Sequence, residues 1–136
     1  MKTFKLRSLQ LLESHDDQIE QHTIDLLDGL IINREDDQLR WVIEAYVSHD
    51  YFSFLNALYE NQNEIIIRAK ITKKSNEPAT FITKITGINE IGNNMNVLFI
   101  GTLVDRRMTE VETLLSVLSE EGYKGKALLS AFKKRI

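Results

Sequence analysis

The chain has 136 residues, 43% of them hydrophobic and 27% charged, with a net charge of −3 and no cysteine. That length supports one domain with one core, the composition argues against disorder, and the slight acidity gives no general attraction to nucleic acid or anionic lipid. The missing cysteine excludes disulfides, thiolate nucleophiles and cysteine-held metal clusters.

The first ten residues, Met1 to Gln10, interrupt their apolar positions with Lys2, Lys5 and Arg7 and so lack the apolar run of a secretory leader. No stretch approaches the roughly 20 apolar residues of a membrane-spanning helix. The expectation is a cytoplasmic protein that does not enter a membrane. Thr3 to Leu12 alternates as a strand, with a change of phase between the Phe4/Leu6 face and the Leu9/Leu11 face that predicts a bulge or cover on both sides. Glu13 to Gln18 reads as a turn. Ile19 to Asn33 is extended again, with a break expected at Asp28-Gly29, and Asn33 to Asp37 reads as a hairpin connection. A third strand, Leu39 to Val47, turns Trp41, Ile43, Ala45 and Val47 inward.

Ser48 to Gln62 changes period. Ser48 or Asp50 is a candidate N-cap, and Tyr51, Phe54, Leu55, Leu58 and Tyr59 recur as one helical stripe. Alternation then returns, with Ile65, Ile67, Ala69 and Ile71 inward and Arg68, Lys70 and Thr72 outward. Lys73 to Pro78 is a turn, and Phe81, Thr83 and Ile85 continue the inward face opposite Lys84 and Thr86. Gly92-Asn93-Asn94 leads into Met95–Val104, a strand apolar on both faces. Val97, Phe99 and Leu103 are expected inside, and Leu98, Ile100 and Val104 under a second layer. A three-strand antiparallel meander is the economical arrangement.

Two helical patterns close the chain. Thr109 and Glu112 have capping-box spacing ahead of Val111, Leu114, Leu115 and Leu118, and Gly122 is the expected stop. From Gly125, Leu128, Leu129, Phe132 and Ile136 share a face, and Lys133, Lys134 and Arg135 suit the dipole at a helix C-terminus. Neither helix is long enough to stand alone, so each must bury its stripe, the nearest candidate being Leu98, Ile100 and Val104. The resulting fold class is mainly β: antiparallel strands that close into a barrel or sandwich, one short inserted helix and a C-terminal helix pair.

Met1-Lys2-Thr3-Phe4-Lys5-Leu6, Asp28-Gly29-Leu30-Ile31-Ile32-Asn33, Ile43-Glu44-Ala45-Tyr46-Val47, Ile71-Thr72-Lys73-Lys74, Val97-Leu98-Phe99-Ile100-Gly101-Thr102-Leu103 and Phe132-Lys133-Lys134-Arg135 together resemble the YwpF-like family of small bacterial proteins over essentially the whole chain. The resemblance implies an antiparallel β-barrel core, residues 1–106, similar to the Hcp-type tube proteins of type VI secretion. It also implies a two-helix pair, residues 107–136, packed on that core as one folding unit. It carries no catalytic residues onto this chain.

Candidate chemistry is sparse. His15, Asp16, Asp17 and His22 are potential metal ligands without a ligand spacing, and a solvated turn and strand explain them equally. His49-Asp50 reads as a helix start and Glu35-Asp36-Asp37 as a solvated hairpin tip. There is no nucleophile elbow, phosphate loop or dinucleotide fingerprint, so no catalytic, cofactor or metal residue is assigned and no enzyme is expected.

Arg68, Lys70, Lys73, Lys74 and Lys84 form a candidate basic strip, and Lys133, Lys134 and Arg135 a second basic group. Three strands, a helix and further strands is also the order of an OB-fold. Single-stranded nucleic acid, with Trp41 or Tyr46 stacking on bases, is therefore the alternative to a solvated face. Acidic residues dominate Glu13 to Asp37, while Gly122 to Ile136 has five Lys or Arg and no carboxylate. Self-association through these two regions is a further expectation. The leading reading is a non-enzymatic protein-interaction or scaffold module; the alternatives are nucleic-acid binding and an enzyme with an unrecognised site.

Overall fold

The structure is a computed structural model that describes residues 1–15, 18–105 and 108–136, and their side chains except those at 14, 15, 18, 108 and 109. In chain order its elements are β1 (Lys2–His15), β2 (Gln18–Ile24), β3 (Leu26–Asn33), β4 (Arg40–Ser48), a 3-10 turn (His49–Tyr51), α1 (Phe52–Glu60), β5 (Ile65–Ile71), β6 (Ala79–Ile91), β7 (Asn94–Val104), α2 (Met108–Glu120) and α3 (Gly125–Arg135).

Every strand pairs antiparallel, in the order β2-β1-β3-β4-β7-β6-β5, and β5 also pairs with β1. Six strands therefore close into a barrel, and β2 stands outside the closure. β1 makes this possible by serving two partners along one edge. Lys2 to Lys5 pair with β3, Leu9 to His15 pair with β2, and the other edge pairs with β5 from Leu6 to Leu12. The phase change expected in the first strand is a register shift against β5 between Leu6 and Ser8.

The extended segment over residues 19–33, expected to break at Asp28-Gly29, is two strands, Gln18–Ile24 and Leu26–Asn33. The break falls at Asp25, whose backbone N–H donates to the Tyr51 hydroxyl at 3.0 Å. Gly29 lies inside β3, where a Cβ would stand 2.9 Å from Leu6 Cδ2 and 3.1 Å from the Glu44 carbonyl oxygen. The irregularity expected at Asp28-Gly29 is a register shift of β3 against β4 between Leu26 and Asp28, while Gly29 itself permits close strand approach. The meander of β5, β6 and β7 is as expected, with Gly92 at φ 59° in the two-residue turn between β6 and β7.

Leu9, Leu11, Ile31, Ile43, Val47, Ile67, Phe81, Phe99 and Val97 fill the barrel, together with Leu55 of α1. Truncating a fully buried phenylalanine such as Phe81 or Phe99 to alanine in such a core costs about 3–5 kcal/mol. Ser48 caps the 3-10 turn by accepting from the Asp50 N–H, so the expected helix from Ser48 begins as a 3-10 turn and becomes α-helical at Phe52.

The helix pair occupies a different surface from the one expected. Val111, Leu115, Leu118, Leu128 and Phe132 pack on Leu12 of β1, Ile66 of β5, Ile82 of β6 and Val104 of β7. Leu98 and Ile100 are only half-buried and lie outside that cluster, and Leu103 is 45% exposed rather than interior. Period-two alternation separates the two faces of β7 but does not say where along the strand a covering layer ends. Only Val104, at the end of β7, falls under the helices.

α2 stops as expected: Gly122 at φ 94° donates to Ser119 and Tyr123 donates to Leu118, which satisfies the last carbonyls. At its start, Thr109 lies within the helix and its side chain is outside the described residues, while Glu112 is engaged with Arg68.

Candidate functional site

The candidate basic residues do not form one strip. Arg68 points out of the barrel as expected, but α2 covers it. Its side chain is 4% exposed, and Nη2 donates to Glu112 Oε1 at 2.7 Å. Its Nε is buried without a hydrogen-bond partner among the described residues. Lys70 donates to the Lys74 carbonyl. Lys73 and Lys74 lie in the connection from β5 to β6, whereas Lys84 sits at the other end of the β5–β6 ladder, beyond the Ile65–Thr83 pair.

On α3, Lys133 pairs with Glu64 at 2.5 Å, Arg135 with Glu121 at 3.0 Å, and Lys134 is exposed. The Glu121 hydrogen bond holds the Arg135 pKa above its usual value. Trp41 is half-buried with its ring edge-on to Phe81, and the Tyr46 hydroxyl accepts from Asn94, so neither stands free as a stacking platform.

Among the described acidic residues between Glu13 and Asp37, Asp28, Glu35 and Asp36 are engaged within the chain. At the β3–β4 connection Asp36 accepts from the backbone N–H of Arg40 at 3.0 Å and of Gln38 at 3.1 Å, and pairs with the Arg40 guanidinium. The Arg40 N–H, then the Arg40 side chain, hold the Asp36 carboxyl below its ordinary pKa. The amino terminus does the same for Glu35 at 3.0 Å, and Lys5 does so for Asp28. The acidic hairpin tip is thus a tied loop.

Of the candidate metal ligands, Asp16, Asp17 and the His15 side chain lie outside the described residues. His22 Nε2 lies 3.0 Å from Glu13 and 3.6 Å from Glu20, with its ring against Phe54. His49 bonds Glu90 at 2.6 Å and stacks on Phe52.

Two features of this surface escape a linear reading. One is a cleft of about 510 Å³ where α1, α3, β1 and β5 converge. Its floor is apolar, built from Leu11, Leu12, Phe54, Leu58, Ile65 and Leu129, and its rim carries Glu13, Gln62, Glu64, Lys84 and Lys126. These residues are scattered from position 11 to position 129, so no spacing announces them. Gln62 holds φ 53° at the end of α1, where its N–H donates to Tyr59 and the Asn63 N–H to Leu58.

The other feature is the outer edge of β2. β2 pairs only with β1, and none of its backbone groups bonds elsewhere among the described residues. Glu20, Gln21 and Thr23 are exposed along it. Reading residues 19–33 as one strand hides this edge.

Comparison with known proteins agrees with the architecture. A family model described as YwpF-like protein matches residues 2–135. The chain is 40% identical over 138 residues to the "Uncharacterized protein YwpF" of Bacillus subtilis (strain 168), an alignment that covers both chains completely. Among solved structures, it superposes with a TM-score of 0.72 on the "Crystal structure of a hypothetical protein from Staphylococcus aureus". The two are 28% identical, and the match covers 98% of this chain and 92% of that one.

Proposed function

The chain belongs to the YwpF-like protein family, and from that premise we propose that it is a non-enzymatic protein-interaction module. It acts in the cytoplasm by pairing an extended, basic polypeptide segment with the free edge of β2. The observation that carries this reading is the mismatch between the closed barrel and its extra strand. Closing six strands removes every edge from the barrel, yet β2 lies outside the closure with an unpaired edge of seven residues. Such an edge offers main-chain hydrogen bonds to an incoming strand, while the exposed Glu20 beside it supplies a preference for positive charge.

The likeness to secretion-tube proteins suggested by the sequence carries no part of this reading, which rests on the closed barrel and its extra strand. Nucleic-acid binding is the weaker reading, because Arg68 is buried and the lysines of the candidate strip lie at opposite ends of one ladder.

The test is site-specific photo-crosslinking in living cells, with the reactive residue at Thr23 on the edge and, as control, at Lys74. A protein adduct formed from Thr23 and absent from Lys74, joined to an extended segment rich in Lys or Arg, is the expected result. Equal adducts from both positions, no adduct from Thr23, or an adduct with nucleic acid overturns the proposal.

A further inference from the structure

We infer that the cleft between α1 and α3 is a binding site for a small apolar molecule ending in an anionic group, of the class of a medium-chain carboxylate. The inference is independent of the strand-pairing reading, since the cleft shares no residue with the β2 edge. A cleft of about 510 Å³ is within the range of sites that hold small molecules. Apolar residues of four separate elements line it: Leu11 and Leu12 of β1, Phe54 and Leu58 of α1, Ile65 of β5, and Leu129 of α3. An apolar chain laid against these side chains is removed from water.

The charge at the mouth then selects the head group. Four charged side chains stand on the rim: Glu64, which pairs with Lys133 at 2.5 Å, Glu13, which lies 3.0 Å from the His22 imidazole, and two lysines. Lys84 of β6 and Lys126 of α3 have neither an ion pair nor a hydrogen bond among the described residues. Two unpaired lysines against the single carboxylate of Glu13 leave a net positive charge at the mouth, supplied from two sides. A lysine carries its ammonium on a long apolar stem, which suits a site with an apolar lining and a wet opening. A carboxylate at the mouth completes both lysines, whereas a neutral head group completes neither.

The experiment titrates sodium decanoate, below its micelle concentration, into the full chain labelled with nitrogen-15, with decanol and sodium acetate as parallel titrants. The expected result is saturable shifts concentrated at the amides of Leu58, Gln62, Ile65, Lys126 and Leu129. Decanol and the Lys84→Gln/Lys126→Gln double variant should each bind about tenfold more weakly, as loss of two partly solvated ion pairs predicts. These substitutions lie on exposed side chains, so folding is retained and the unshifted part of the spectrum verifies it. Absence of saturable shifts, shifts spread over the surface, equal affinity for decanol, or undiminished affinity in the double variant overturns the inference. Acetate binding as tightly as decanoate overturns it as well, because the apolar floor would then contribute nothing.

Discussion

Gly101 of β7 lies so close to Thr83 of β6 that a Cβ on the glycine would stand 2.7 Å from the Thr83 Cα and 2.0 Å from the Ile82 carbonyl oxygen. The obstruction is backbone, which no rotamer change relieves. Gly101 faces Thr83 on one side and Trp41 of β4 on the other, so displacing β7 disturbs both neighbouring ladders. Gly101→Ala should therefore destabilise the chain by about 3 kcal/mol, the upper part of the range for overpacking. The denaturant midpoint of the purified variant measures this, and a midpoint equal to wild type would show that the two strands can part without cost.

The Arg68–Glu112 contact supports an asymmetric prediction. Arg68 is 3% exposed with its Nε unpartnered, while the Glu112 side chain is 45% exposed. Removing the acid leaves a buried guanidinium without a counter-charge, whereas removing the arginine leaves a carboxylate that water can reach. Glu112→Ala should cost about 2 kcal/mol, discounted from a fully buried pair for solvent access. Arg68→Met should change stability by less than about 1 kcal/mol in either direction, since it also removes the orphaned donor. Urea unfolding of the two variants side by side decides this, and equal losses would contradict the argument.

Much of the barrel is legible from alternation alone. Ile43, Ala45 and Val47, then Ile65, Ile67 and Ala69, then Phe81 and Ile85 face inward as their period predicts, because each inner position needs an apolar side chain and each outer one a solvated side chain. Alternation fails where the outer face is also covered. Ile66, Arg68 and Ile82 lie outside the barrel but beneath the helix pair, and nothing local to an outward arginine reports a helix that arrives more than 40 residues later, at Glu112. The break at Asp25 was illegible for a related reason. It is set by Tyr51, whose hydroxyl accepts the Asp25 N–H, and by the division of one edge of β1 between β2 and β3. The candidate cleft draws on four elements and the candidate edge on closure of the barrel, both properties of the assembled sheet.

Acid should weaken the fold through its tied carboxylates. Asp28, Glu35 and Asp36 all have pKa values lowered by folding, through Lys5, the amino terminus and the Arg40 N–H respectively. A carboxyl with a folded value below its unfolded one contributes stability that is fully present above the unfolded value. That stability is lost as pH falls through the folded value. The denaturant midpoint should therefore be flat from pH 7 to about pH 5 and fall below that. Asp36→Asn should flatten the fall, and an unchanged acid slope would remove Asp36 from the account.

Gln62 occupies a left-handed position at the end of α1, with φ 53°. A side chain there costs about 1 kcal/mol relative to glycine, which the same hydrogen bonds to Leu58 and Tyr59 would accept without strain. Gln62→Gly should raise stability by somewhat less than that, because glycine also loosens the unfolded chain and the Gln62 side chain donates to the Tyr59 carbonyl. Thermal unfolding measures it, and a lowered midpoint would mean that the side-chain bond outweighs the backbone strain.

Ending the chain at residue 107 tests how far the barrel depends on its helices. Among the described residues α2 and α3 take no part in the strand ladders, so every ladder of the barrel survives the deletion on paper. What the deletion uncovers is Leu12, Ile66, Ile82 and Val104 on one outer face, with Arg68 among them now lacking Glu112. Those apolar side chains form a contiguous patch next to the already unpaired edge of β2, a combination that favours association between chains. The truncated chain should be aggregation-prone and, where soluble, less stable than the full chain, read by sedimentation and by denaturant midpoint. The full-length variant Leu115→Asp should weaken the same contact without removing residues and move the midpoint in the same direction. A soluble, monomeric truncation with an unchanged midpoint would instead show that the outer apolar face tolerates water and that the helix pair is dispensable to the barrel.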